Sequence, residues 1–419
     1  MNARFFSASV AVIMAATATS AYAQDNFARN RNTSVRERPR PDYEALGIGQ
    51  GGIRILPQVS ATVTHDSNIY ATATNPIDDI IASLSADVAL VSDWNVHAIG
   101  AEAHVRHDAY TDNSDESSTT YGAAVDGRLD ASRQVQFSGA ARYDHFVEAR
   151  TASGNPTASV EPIDYTATGV EAGAVVTFNQ LRLRGTISQR DLNFDNGRTA
   201  LGAVVDQSYR DETVRRGVLR ADYAISPDTS LFIEGAVDKR EFDTIGTSLV
   251  VRDSDGREVT AGADFDITAL IRGSVQAGYF EHDFDAVSIP DTSGFSGRVR
   301  VEYFPSELAT ITVQASRSVE DTGLLTTSGF LSSNYSAQVD YEFRRNIILT
   351  GRLAYGDDEY QGLNRDDERF AGTLSGVWLV NRRWGVGASY NYYKQESSGL
   401  NAGADFEVHR VSASLTLQY

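Results

Sequence analysis

The fold of this chain is decided by stretches such as Tyr335-Ser336-Ala337-Gln338-Val339-Asp340-Tyr341-Glu342-Phe343-Arg344. Aromatic or small apolar residues occupy every odd position of this stretch, and polar or charged residues occupy every even position. Because successive side chains of a β-strand point to opposite faces, this period of two predicts a strand with one apolar and one polar face. Residues 295–303 and 181–187 follow the same rule, so the chain from about Ile53 onward is predicted to be a series of amphipathic strands.

Short and long polar connections alternate between these strands. Short turns such as Asp130-Ala131-Ser132-Arg133 and Phe178-Asn179-Gln180 are each followed, one strand later, by a longer polar stretch, at 150–161 and 195–206. In all, roughly eight short turns and nine longer loops join about eighteen strands. A propeller or a soluble sandwich has no reason to place every short turn at one end, whereas an outer-membrane barrel has short periplasmic turns and longer extracellular loops. The predicted fold class is all-β, a transmembrane antiparallel up-and-down β-barrel over residues 53–419. The sheet must close because lipid offers no hydrogen-bond partner to the backbone groups of an open edge.

Composition excludes several classes of protein. The 419 residues include 56 Asp and Glu but only 37 Lys and Arg, a formal net charge of −19. Such an acidic chain lacks the cations that nucleic-acid binding needs, so no nucleic-acid partner is expected. The absence of cysteine excludes a disulfide scaffold, a thiolate zinc site and a cysteine nucleophile. A hydrophobic share of 41% fits strands with a single apolar face.

The first 52 residues differ from the rest. Residues 1–23 are predicted to be a signal peptide, with Arg4 before an apolar run and the cleavage site Ala21-Tyr22-Ala23 at its end. Residues 24–52 are predicted to be a flexible, exposed periplasmic segment, in which two prolines oppose a helix. Five arginines lie within residues 29–40 around the single acid of that stretch, Glu37: Arg29, Arg31, Arg36, Arg38 and Arg40. They are either simply solvated or contact an acidic partner in the periplasm, such as a polymer.

Motifs near the start resemble those of a known family. They are Arg38-Pro39-Arg40-Pro41-Asp42-Tyr43, then Leu46-Gly47, Ile55-Leu56-Pro57 and His65-Asp66-Ser67-Asn68-Ile69-Tyr70, with Ser92-Asp93-Trp94-Asn95-Val96-His97 further on. The chain resembles the second putative β-barrel porin family, common in alphaproteobacteria, whose members often open with R-P-x-P-x-Y and end an early strand on x-D-x-N-I-Y. The resemblance implies an outer-membrane barrel over about residues 35–419 and a link with exopolysaccharide or capsule export. It brings no catalytic residues.

Strand ends carry two further signals. The chain ends on an amphipathic strand with Val411, Leu415, Leu417 and Tyr419 on its apolar face. This ending resembles the terminal strand that the barrel-insertion machinery reads. Aromatic residues near strand ends predict two interfacial girdles. By the short turns they are Trp94, Phe178, Tyr223, Tyr303, Phe343 and Trp384; by the long loops they are Tyr70, Tyr110, Phe194, Phe242, Tyr335, Tyr355 and Phe370.

The polar face of the strands carries charges of both signs. The residues predicted to line the lumen are Arg106, Arg128, Arg142, Arg182, Arg184, Arg220, Arg298, Arg300, Arg352, Glu302, Asp340 and Glu342. A barrel of about eighteen strands is wide enough for an aqueous lumen, in which rings of charge bias the passage of solutes. Alternatively, the arginines and acids pair across strands and stiffen the wall.

These observations predict a porin-like protein of the Gram-negative outer membrane, with its signal peptide cleaved near Ala23, that passes or helps export hydrophilic solutes, saccharide polymers above all. Expected partners are outer-membrane lipid and lipopolysaccharide, the barrel-assembly machinery, and polysaccharide or polysaccharide-export components. The first alternative is a non-conducting scaffold or surface-adhesion barrel, which a plug formed by residues 24–52 would favour. The second is an outer-membrane enzyme. Because no catalytic motif and no complete metal-ligand pattern occurs, the prediction includes no enzyme activity, catalytic residue, cofactor or metal.

Overall fold

The computed structural model describes residues 27, 29, 31–152, 159–243, 252–287, 289–320 and 329–419. The signal peptide predicted over residues 1–23 and its cleavage site lie outside these residues. Eighteen long strands make up the described barrel: β1 Ile53–Asp66, β2 Asp79–Ser92, β3 Ala98–Tyr110, β4 Ser118–Asp130, β5 Val135–Val147, β6 Asp164–Phe178, β7 Leu181–Phe194, β8 Glu212–Ser226, β9 Thr229–Phe242, β10 Ser254–Ile267, β11 Ile271–Phe284, β12 Thr292–Ser306, β13 Ala309–Glu320, β14 Phe330–Arg344, β15 Ile347–Tyr360, β16 Asp366–Leu379, β17 Trp384–Ser398 and β18 Phe406–Gln418.

The sheet closes on itself. Each strand pairs antiparallel with the next along the chain, and β18 returns to β1 with a register that runs from Gln58 opposite Gln418 to Asp66 opposite Arg410. Short turns such as residues 179–180 alternate with longer loops such as 195–211. The predicted closed barrel of about eighteen strands is thereby confirmed.

Five short elements complete the described structure. Strand Ile48–Gln50 pairs with the start of β1, and strands Gly197–Arg198 and Val204–Val205 pair within one long loop. Two single-turn 3-10 helices, Ser114–Glu116 and Ser208–Arg210, also lie in long loops. In the part of the chain that the structure describes, no helix has the length and apolar character to cross a membrane.

The two faces of the sheet differ in exposure as well as in polarity. On the apolar face, Leu219 is 74% exposed and Ile187 is 67% exposed, whereas on the polar face Asp222 is 0% and Asp340 is 3% exposed. Side chains on the convex side of a closed barrel spread apart, and those on the concave side crowd together. The apolar face is therefore the outside of the barrel, and the polar face is the inside.

Prolines within the strands lie where the hydrogen-bond ladder tolerates them. Pro305 lies in β12 at a register shift between Tyr303 and Ser306, just before a short turn. Pro57 lies in β1 one residue before the pairing with β18 begins at Gln58. Because proline has no N–H to donate, a bulge and the last rung of a ladder are the positions where it costs least.

The predicted aromatic girdle is correct at the short-turn end and only partly correct at the long-loop end. The exposed aromatics near the short turns include Trp94, Phe178, Tyr223, Tyr303, Phe343 and Trp384. Near the long loops, Tyr335, Tyr355 and Phe370 also face outward, but Phe194 is buried, with its ring centroid 5.0 Å from that of Tyr165. Placing Phe194 in the girdle was therefore wrong. The same correction applies to Tyr110, which has the inward parity of Arg106, and to Phe242, whose ring centroid lies 4.1 Å from the guanidinium carbon of the buried Arg252. The even-numbered residues of β7 face inward, and that strand carries Phe194 into a small apolar cluster beneath the long loops.

Candidate functional site

A buried carboxylate organises the inner wall between β7 and β8. Arg184 Nη2 donates to Asp222 Oδ1 at 2.7 Å and Arg220 Nε donates to the same oxygen at 3.0 Å, while Arg182 Nε lies 3.7 Å from Asp222 Oδ2. Arg220 also pairs with Asp264 two strands away and lies over the Phe232 ring, 3.4 Å from its centroid. Arg220 also lies 3.8 Å from Glu234, so three carboxylates balance the three guanidinium groups on this part of the wall.

The twelve residues predicted to line the lumen all alternate with outward-facing apolar or aromatic residues, so the structure places them on the inner face. Several of them form ion pairs along or between strands: Arg106 with Asp108, Arg128 with Asp130, Arg142 with Glu102, and Arg300 with Glu302. Arg352 lies opposite Gln338 in the ladder between β14 and β15, and Arg298 is exposed to the interior. The structure thus brings together Arg182, Arg184 and Arg220, and spreads the rest around the wall.

The N-terminal segment lies against this wall. Residues 31–47, here called the N-terminal strap, run along the inside of the short-turn end from β9 to β18. Arg31 N donates to Asp266 Oδ2 at 3.0 Å, and Val35 N donates to Thr310 Oγ1 at 2.9 Å. Further on, Gln418 Nε2 donates to the Tyr43 carbonyl at 3.1 Å. The strap therefore follows the wall over about half of the barrel circumference.

Ion pairs hold the middle of the strap. Arg40 Nη2 lies 2.9 Å from Glu342 Oε2, and both side chains are nearly fully buried. Arg36 Nε lies 2.7 Å from Asp340 Oδ1. A third pair has the opposite polarity, because Glu37 on the strap accepts a hydrogen bond from Arg272 on the wall at 2.7 Å. The acidic partner of the N-terminal arginines is, in this structure, the wall of the barrel itself.

This arrangement corrects the prediction of an exposed segment over residues 24–52 for its middle part, whereas Leu46 and Ile48 are exposed as predicted. Val35 is 0% exposed and Arg40 is 4% exposed. The sequence prediction was wrong because the carboxylates that neutralise these arginines follow about 300 residues later in the chain. Composition alone did not link the arginine-rich segment with Asp340 and Glu342, although both acids were predicted to face inward.

Two local features fix the strap, one at its middle and one at its C-terminal end. Burial alone would raise the pKa of Glu37, but the hydrogen bond from Arg272 and its positive charge hold that pKa below the ordinary 4.5. At the C-terminal end, Gly47 has φ +72°, and a Cβ there would meet the Ile55 carbonyl oxygen and the Arg54 Cγ at 2.8 Å. Only glycine fits where the strap ends and strand Ile48–Gln50 begins.

The inner wall at the closure seam carries hydroxyl and amide groups rather than charges along much of its length. Ser60 bonds to Thr416 at 3.0 Å across β1 and β18, and Thr64 bonds to Ser412 at 2.9 Å in the same pair. On the next strands, Thr373 Oγ1 donates to Asn391 Oδ1 at 3.0 Å. The interior therefore has a charged wall, which the strap covers in part, and a neutral polar wall beside it. Sequence reasoning missed this division, although the Ser and Thr residues alternating with the apolar residues of β18 signal it.

Ion pairs also tie the long loops to one another at the opposite mouth. Arg210 Nη2 lies 2.6 Å from Glu148 Oε1, and Arg150 Nη2 lies 2.6 Å from Glu116 Oε1, all with largely buried side chains. Among the described residues, one group could offer ligands to a metal ion, namely His145, Asp164 and Asp195, whose ligand atoms lie within 4.8 Å of one another. It lies at the rim, away from the strap.

The closed barrel with a charged interior agrees with the comparison of the sequence with protein families. The family model described as "Putative beta-barrel porin 2" matches residues 40–419. The chain belongs to this family. It is an outer-membrane porin-like barrel, and the family resemblance predicted from the opening motifs is confirmed. No curated protein matches the sequence.

Solved structures with a similar fold are outer-membrane proteins. The outer-membrane protein OpdK from Pseudomonas aeruginosa has a TM-score of 0.45 at 11% identity, covering 87% of this chain and 99% of that one. OccAB4 from Acinetobacter baumannii has a TM-score of 0.45 at 12% identity, covering 91% and 100%. A mutant of the ferric enterobactin receptor PfeA from P. aeruginosa has a TM-score of 0.48 at 7% identity, covering 87% and 80%.

Proposed function

We propose that this barrel passes hydrophilic solutes across the outer membrane, saccharide polymers above all, through a lumen that the N-terminal strap narrows at the short-turn end. The observation that carries the proposal is the polar inner wall of a closed barrel. The planar guanidinium groups of Arg298 and Arg300 can donate hydrogen bonds to the hydroxyl or carboxylate oxygens of a sugar. The hydroxyl-lined wall around Ser60 and Thr416 offers neutral donors and acceptors that suit a hydroxyl-rich chain.

Assembly follows from the same architecture. The apolar residues of β18 face outward, with Val411 56% and Tyr419 52% exposed. As part of the proposal, this strand presents Val411, Leu415, Leu417 and Tyr419 to the barrel-assembly machinery before it pairs with β1. Signal-peptide cleavage near Ala23 and a link with exopolysaccharide export belong to the same proposal.

Conductance in a planar lipid bilayer tests transport directly. The mature chain is compared with a variant that lacks residues 24–44 and so lacks most of the strap. We expect a small unitary conductance for the mature chain, a larger one for the shortened chain, and current block by added oligosaccharide in both. If both proteins insert into the bilayer as folded barrels and neither conducts, the proposal is contradicted.

The second candidate function is a non-conducting scaffold barrel, and the strap favours it. A segment with Val35 fully buried and Arg40 paired with Glu342 takes up cross-section inside the lumen. The same recordings distinguish the two functions. A silent mature chain together with a conducting shortened chain indicates a channel closed by its strap, whereas two silent proteins indicate a scaffold.

A further inference from the structure

Three neighbouring strands each carry one cation on the outward face near the long loops. Arg215 on β8 is the register partner of Lys239 on β9, and Arg257 follows on β10. Each of them lies three residues inside the long-loop end of its strand. Their side chains are 55%, 53% and 68% exposed. They therefore stand where the apolar belt of the barrel gives way to the outer surface.

An apolar groove runs along the outer surface beneath two of these cations. It has a volume of about 630 Å³, and Val170, Ile187, Gly217 and Val237 are among its lining residues. Gly217 forms the floor, since a Cβ built there would have the Val237 Cγ2 as its nearest neighbour, at 3.6 Å. The missing side chain between Ile187 and Val237 leaves a furrow with apolar sides.

The head of the groove carries cations that can bind a phosphate and carboxylates that can bind a divalent cation beside it. Lys239 lies directly opposite Asp255 in the ladder, and Arg257 lies directly opposite Glu281. Glu241 pairs with both Arg215 and Lys239, with Lys239 Nζ at 3.0 Å from its Oε1, and so holds the two cations side by side. Side chains of directly opposed residues in an antiparallel pair start about 5 Å apart, within reach of a single phosphate group. Arg257 lies 4.0 Å from Asp283, and Asp255 lies directly opposite Asp283 in the ladder. Two carboxylates facing each other favour a divalent cation, which phosphorylated lipids also bind.

We propose that this surface is a binding site for a phosphorylated, acylated glycolipid of the outer leaflet, such as lipid A. Its phosphate would lie on Arg215 and Lys239, and one acyl chain would lie in the groove over Gly217. The position near the long loops selects the outer leaflet, because these loops face the cell exterior in barrels of this type. The inference goes beyond solute transport and depends only on the orientation of the barrel, so a non-conducting barrel would bind the lipid equally well.

Native mass spectrometry of the full mature chain in non-ionic detergent with magnesium tests the site. The probes are bisphosphorylated hexa-acyl lipid A and phosphatidylglycerol. We expect one tightly bound lipid A, and a loss of about 30-fold in affinity for the double variant Arg215→Gln, Lys239→Gln, since each surface cation near a membrane contributes about fivefold. The matched control is Lys394→Gln on β17. Lys394 is the only other lysine of the chain and pairs with Glu396 at 2.7 Å in the same way, and its loss should leave binding unchanged.

A second variant tests the groove independently of charge. Gly217→Val fills the furrow with a residue that strands accept, and we expect a loss of roughly tenfold in affinity for lipid A. Unchanged binding in both the double variant and Gly217→Val would overturn the proposal. So would equal affinity for phosphatidylglycerol and lipid A, or a loss in Lys394→Gln as large as that in the double variant.

Discussion

Replacing Arg40 by methionine should release the N-terminal strap from the wall. The substitution leaves the buried Glu342 without its partner at 2.9 Å, while Arg38 at 3.7 Å and Arg345 at 3.6 Å remain nearby. Removing one partner of a buried ion pair costs about 3–5 kcal/mol, and the two remaining arginines place this case near the lower value. About 3 kcal/mol corresponds to a shift of roughly a hundredfold in the ratio of docked to released strap.

Thiol labelling measures this ratio directly. The chain has no cysteine, so Val35→Cys introduces a single thiol at a position that is 0% exposed. If the strap opens and closes faster than the thiol reacts, the labelling rate follows the fraction of released strap. We expect a membrane-impermeant maleimide to react slowly with the Val35→Cys variant and about a hundred times faster when Arg40→Met is added.

A double substitution distinguishes the effect of the unpaired charge on Glu342 from the effect of changed side-chain packing. Arg40→Met together with Glu342→Met removes both charges, and exchange of a buried pair for apolar residues is often neutral or stabilising. Labelling of the thiol introduced at position 35 should therefore return close to the slow rate. The reasoning is refuted if Val35→Cys alone labels as fast as an unfolded peptide, or if Arg40→Met leaves the rate unchanged.

Three further predictions concern the strap and the wall it contacts. The pKa of Glu37 is lowered in the folded protein by Arg272, so its contribution to docking is present above about pH 4.5 and is lost as the pH falls through the lowered pKa. The labelling rate, divided by that of an unfolded cysteine peptide at the same pH to correct for the loss of thiolate, should rise on acidification, and Glu37→Gln should reduce that rise. Asp222→Ala leaves three arginines around an empty position and should lower the free energy of unfolding in detergent by about 3–5 kcal/mol, measured by urea titration, whereas Glu171→Gln at an exposed inner position should change it little. Gly47→Ala forces a Cβ against the backbone at a positive φ and should cost about 1–3 kcal/mol, seen as faster labelling of the strap with unchanged barrel strands in circular dichroism.

The barrel itself could be predicted from local sequence. A period of two sets the two faces of each strand, and the alternation of turn lengths sets the strand count and the end at which the loops lie. The inward orientation of Arg220 and Asp340 follows from parity alone, since each alternates with apolar residues that require the outer face. The same rule would have placed Phe194 correctly, but there proximity to a strand end was given more weight than parity.

The candidate site could be predicted only in part. The sequence shows that acids and arginines share the inner face, but the Asp222 cluster depends on which residues of β7 and β8 lie opposite each other. The register between these strands places Arg182 directly opposite Asp222 in the ladder. The hydroxyl wall depends in the same way on the closure of β18 against β1, strands that lie at opposite ends of the barrel sequence.

The sequence by itself determined the closed barrel, because side-chain alternation and turn chemistry act over a few residues and are repeated in every strand. Only the tertiary structure decided the course of the N-terminal strap. Its arginines find their carboxylates about 300 residues away, and that pairing exists only after the barrel has closed around the segment and removed both charges from water. Local patterns determine which face of a strand is polar, whereas closure determines which charges meet on the inner wall.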